Sequence, residues 1–171
     1  MPDTFVKIAS VTVGSGGASS IDFTSIPQTY TDLCVKVSTR NNASANNYTI
    51  KFNGSSVSAY SDRILYANGS SAASGVNTTS GAGVYGQMNP STYTANTFDS
   101  GEIYIPNYTG SNNKSVSIDN VQESNAAGVF MSIIAGLWSN TSAITSITLT
   151  PISSAAYVQY STATLYGIKN S

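Results

Sequence analysis

Histidine is absent from this 171-residue chain, cysteine occurs once, and charged residues make up only 9 % of it. Each shortage closes a class of function. Without an imidazole no side chain has an ordinary pKa near neutrality, which is what general acid-base catalysis most often uses, and the few Asp and Glu residues are scattered. A single cysteine excludes an intrachain disulfide, and the lack of any Cys/His cluster leaves zinc and iron without ligands. Cys34, between Leu33 and Val35, reads as a small buried hydrophobe rather than a nucleophile. Seven basic residues spread from Lys7 to Lys169 in a chain of net charge −1 form no patch able to neutralise several phosphates, so nucleic acid is not an expected partner. The longest apolar run, residues 128–138, is too short to span a bilayer. The opening MPDTFVKIAS lacks the basic start and apolar stretch of a signal peptide, so the expectation is synthesis in a cytosol with no membrane partner.

What is present is 40 % hydrophobic content, eleven tyrosines, and runs of Ser, Thr, Asn and Gly. That much patterned Tyr, Ile, Val and Phe separates the chain from a disordered linker, and its length suits one domain over residues 1–171 with its own core. The Asn-x-Ser/Thr triplets follow from composition. Little net charge gives weak protection against association, which suits life inside an assembly.

Strand patterns recur along the chain. Residues 4–13 and 20–24 read as strands separated by the glycine turn at 14–17, with Pro27 ending the second run. Over 31–39, Leu33, Val35 and Val37 alternate with polar neighbours as in a half-buried strand. Tyr48, Ile50 and Phe52 repeat the alternation up to Asn53-Gly54, a hairpin signal. Residues 59–67 form a further strand, and 68–83, nearly all small and polar, predict a long surface loop. Strands are expected at 84–87, 97–105 and 115–121, with a turn at 107–113. The β-branched run at 128–138 predicts a buried central strand, and 144–150, stopped by Pro151, and 157–168 close the chain. Short strands at such spacing without an amphipathic helix indicate an all-β, single-domain antiparallel β-sandwich, jelly-roll-like.

No motif carries chemistry. The glycine run at 14–17 lacks the lysine of a phosphate loop, so no cofactor is expected, and Asp99 and Glu102 are isolated acids outside any calcium-loop pattern, so no metal is expected. Asp62, Asp99, Glu102, Asp119 and Glu123 show no sign of two carboxylates converging across a groove as a glycosidase requires; the expectation is a protein that is not an enzyme. Tyr85, Tyr93 and Tyr108, near loops, and Trp138 are the candidates for interface contacts or for stacking on a glycan.

Three strings, TFVKIAS at 4–10, IDFTSIPQTYTDL at 21–33 with Arg40 beyond it, and TLYGIK at 164–169, resemble the opening and closing segments of a group of tailed-bacteriophage virion proteins. That resemblance implies a structural virion protein made in the host cytoplasm. It implies first a capsid decoration or cement protein that binds the major capsid protein or another virion protein as a symmetric homo-oligomer, a trimer by preference. Its alternative is a tail-fibre or receptor-binding module whose partner is host surface glycan. Within the strings, Phe23, Ile26 and Leu33 are expected in the core, Pro27 at a bend, and the Tyr30 hydroxyl on backbone at the corner.

Overall fold

The structure, a computed structural model, describes residues 4–81, 83–125 and 129–169. Among these it contains twelve strands and no helix: β1 (Phe5–Thr12), β2 (Ile21–Phe23), β3 (Asp32–Ser38), β4 (Asn47–Phe52), β5 (Tyr60–Ala67), β6 (Ala72–Gly81), β7 (Val84–Gln87), β8 (Ser100–Ile105), β9 (Lys114–Gln122), β10 (Phe130–Trp138), β11 (Ile147–Pro151) and β12 (Thr162–Ile168). They form two antiparallel sheets, an eight-stranded one in the order β1-β12-β3-β8-β9-β10-β5-β6 and a four-stranded one in the order β2-β11-β4-β7.

The all-β sandwich expected from the sequence is therefore what the chain forms, and its winding can be read from the pairs. β1 pairs β12, β2 pairs β11, β3 pairs β8 and β4 pairs β7, alternating between the two sheets. That is one long antiparallel ribbon folded back on itself and rolled, the winding of a jelly roll. Two further pairs interrupt the ribbon: β5 with β6 between β4 and β7, and β9 with β10 between β8 and β11. Both join the same sheet beyond β8, and together they make half of it.

The core lies between the sheets. Leu33, Val35, Ile103, Ile118, Ile134 and Leu165 from the large sheet meet Phe23, Tyr48, Ile50, Val84, Ile147 and Leu149 from the small one, all buried. At one end Phe52, Tyr60 and Trp138 cluster, with Trp138 and Tyr60 stacked at 6.0 Å and the Phe52 N–H donating to the Tyr60 hydroxyl at 2.9 Å.

Four expectations change. Residues 68–83 were expected as a loop, and β6 occupies most of that span, with Leu65 opposite Ser74 and Ala67 opposite Ala72; residue 82 lies outside the described residues. An edge strand needs only one neighbour, so backbone pairing holds a sequence too poor in apolar side chains to be recognised by pattern. Asn53 and Gly54 do make the tight turn, with φ of 53° and 63°, but no hairpin follows. β4 is already flanked by β11 and β7, so the chain crosses to the other sheet and enters β5 there. β3 was expected half-buried, yet both of its faces close at Leu33, Cys34 and Val35, because Cys34 sits between Tyr104 and Tyr166 on the neighbouring strands. The closing strand starts only at Thr162, since Tyr160, at φ 71°, breaks the extended run while Tyr157 bridges Ala18 and Asn41.

Candidate functional site

The outer face of the large sheet divides in two. Over the rolled half, Ser10, Thr164, Lys36 and Glu102 follow one another across β1, β12, β3 and β8. Ser10 and Thr164 share a hydrogen bond of 2.8 Å, and Lys36 and Glu102 form an ion pair. Over the inserted half the surface turns apolar. Val121, Met131, Ala67 and Ala72 form one row across β9, β10, β5 and β6, and Asp119, Ile133, Leu65 and Ser74 form the next.

Leu65, Val121, Met131 and Ile133 are 56, 48, 56 and 61 % exposed, and with Val76 on β6 they are five of the eight large hydrophobic side chains exposed among the described residues. They are therefore gathered, not scattered. Leu65, Ala67, Val121, Met131 and Ile133 line a shallow concavity of about 350 Å³, continuous at Ala67, Val121 and Met131 with a second of about 220 Å³. Contiguous apolar surface on a soluble domain marks a place where something docks. Covering the exposed half of each large side chain contributes about 1 kcal/mol. The run at 128–138 was expected to be a buried central strand; β10 is interior to its sheet, but only one of its faces is covered, and Gly128 lies outside the described residues.

Two of the four aromatic candidates are closed to any partner. Trp138, 1 % exposed, is part of the end cluster, and Tyr108, fully buried, donates its hydroxyl to the Pro27 carbonyl. The backbone-seated hydroxyl expected of Tyr30 at that corner is thus supplied by Tyr108. Tyr85 on β7 and Tyr93 in the following segment remain half-exposed. Tyr93 is held by Arg40, whose buried guanidinium donates to the carbonyls of Ser91 (3.1 Å), Tyr93 (2.9 Å), Thr94 (3.0 Å) and Thr97 (3.1 Å). Burial lowers the Arg40 pKa.

Asp62, Asp99 and Glu102 are spent on structure. Asp62 on β5 accepts the Tyr85 N–H (2.9 Å), Asn120 on β9 accepts the Gln87 N–H (3.2 Å), and Gln122 donates to the Met88 carbonyl (2.6 Å). Side chains of the large sheet thereby satisfy the open edge of β7, which explains polar residues pointing inward on β5 and β9. Asp99, 1 % exposed, accepts from the Thr39 N–H, the Thr39 hydroxyl (2.9 Å) and the Asn120 amide (3.2 Å). Desolvation raises its pKa to about 7 despite those hydrogen bonds. Glu102 is committed to Lys36, so Asp99 and Glu102 have different partners, and no group of three or more potential metal ligands occurs among the described residues. Cys34 is fully buried, and burial pushes its thiol pKa up.

The sequence did not single out the apolar face, because it is assembled from two separate strand pairs, β5 with β6 and β9 with β10; the available signal was the unusual apolarity of residues 128–138. No protein-family model, curated protein or solved structure matches the chain.

Proposed function

We propose that this chain is a structural protein of a bacteriophage virion, a decoration or cement protein that binds the major capsid shell and stabilises the head without catalysing a reaction. The observation that carries this reading is the uncovered apolar face on the inserted half of the large sheet, which fits a component of an assembly. Such a module adheres. Low charge limits the number of ions to be desolvated at each contact, and weak contacts repeated by symmetry and copy number add up through avidity. The strings that resemble tailed-phage virion proteins support the same reading from the sequence side.

The test is position and copy number in the intact virion, by quantitative mass spectrometry with cryo-electron microscopy. A decoration protein is expected at on the order of hundreds of copies on the head, following shell symmetry. A few tens of copies or fewer, confined to the tail, overturn the reading.

A further inference from the structure

β10 is apolar on both sides. Ile134 and Trp138 point into the core, whereas Met131, Ile133, Ala135 and Leu137 point outward. An interior strand of this kind belongs in a sheet covered on both faces, and this chain covers one. The charges beside the strip are of opposite sign on opposite flanks. Arg63 on β5 is the neighbour of Ala135, and Asp119 on β9 is the neighbour of Ile133. Both are exposed. Asp119 lies beside Glu102, which is committed to Lys36, and Arg63 donates to the Asp62 carbonyl at 2.9 Å.

We propose that a second copy of this chain closes the face, stacked sheet on sheet about a two-fold axis running along β10. This rests on the reading of the protein as an assembly module and gives the apolar face to contact between copies, leaving the rest of the surface for the capsid. A two-fold rotation about that axis exchanges the β9 flank with the β5 flank. The strip then meets itself, apolar on apolar, and Asp119 of each copy comes toward Arg63 of the other. The two positions are offset by two residues, roughly 7 Å along a strand, which an arginine side chain can span. A patch with an apolar centre and opposite charges on its two flanks is self-complementary, the requirement of an isologous contact. Leu65, Val121, Met131 and Ile133 furnish the apolar centre of the contact, and Arg63 and Asp119 its rim.

Sedimentation equilibrium of the purified chain tests this. The wild type is expected to dimerise, Ile133→Asp to be monomeric, and Arg63→Glu and Asp119→Arg each to weaken dimerisation by about tenfold or more. The double variant Arg63→Glu/Asp119→Arg restores the opposite charges with their positions exchanged and is expected to recover most of the loss. Circular dichroism melts establish that each variant is folded. A wild type that stays monomeric over about a hundredfold range of concentration overturns the proposal, as does a folded double variant no better than the single ones. Binding to purified capsids, read in parallel, separates the two claims. A patch variant that stays dimeric but no longer binds capsids overturns the pairing and leaves the virion role intact. A dimeric wild type that binds no capsid overturns the virion role and leaves the pairing intact.

Discussion

The ring of Tyr30 lies against the backbone of Gly167, so close that a Cβ at position 167 would overlap the ring atoms. Beside this contact the Thr31 N–H donates to the Ile168 carbonyl at 2.8 Å, and Leu33 pairs with Gly167 across β3 and β12. Residues 21–33 and 164–169, far apart in sequence, are thus neighbours in the fold. Gly167→Ala is expected to destabilise the protein by about 1–3 kcal/mol by displacing the ring. Thermal melts of Gly167→Ala, Tyr30→Ala and the double variant should show costs that do not add. Additive costs would mean that the contact does not constrain position 167.

Asp99 gives the stability of the fold a pH dependence of definite sign. Its folded pKa of about 7 lies above the ordinary value of 3.8, so the folded state holds a proton that the unfolded state has released. Stability from this group is complete below about pH 4 and is lost as pH rises through 7. Urea melts should show about 3 kcal/mol less stability at pH 8 than at pH 5, and Asp99→Asn should remove most of that difference. A wild-type profile no steeper than that of the variant would contradict the assignment.

Arg40 should not tolerate lysine. The substitution keeps the charge but offers one nitrogen where the fork of a guanidinium serves four carbonyls of residues 91–97. A loss of about 2–3 kcal/mol is expected, and limited proteolysis should cut Arg40→Lys faster than wild type within that segment. Unchanged cleavage there would show that the segment does not depend on Arg40.

Trp138→Ala should cost about 3–5 kcal/mol of folding stability, measured by denaturant melts, because it empties the cluster with Phe52 and Tyr60. Tyr93→Ala, at a half-exposed ring, should cost less than about 1 kcal/mol. Loss of glycan binding in Trp138→Ala would therefore report unfolding, and Tyr85 and Tyr93 are the rings on which that activity has to be tested.

The alternation at Leu33, Val35 and Val37 and at Tyr48, Ile50 and Phe52 could be read directly, because a pleated strand repeats every two residues and local pattern is enough to show it. From such segments the residue pattern established an all-β chain and the approximate position of most of its strands. It also determined that histidine chemistry and intrachain disulfides have no place here. β6 escaped because an edge strand is held by its neighbour's backbone rather than by its own side chains. The burial of Tyr108 and Trp138 escaped because residues near a turn and at a strand end have no periodicity that says which way they point.

It is the folded arrangement that makes the two inserted pairs extend one sheet rather than the other, and that sets Val121, Met131, Ile133 and Leu65 side by side on its outer face. The physical reason is the range of the interactions. Strand formation follows from neighbours one and two residues away, whereas sheet order and the contents of a surface patch depend on pairings between segments that the chain brings together only when the whole ribbon has rolled up.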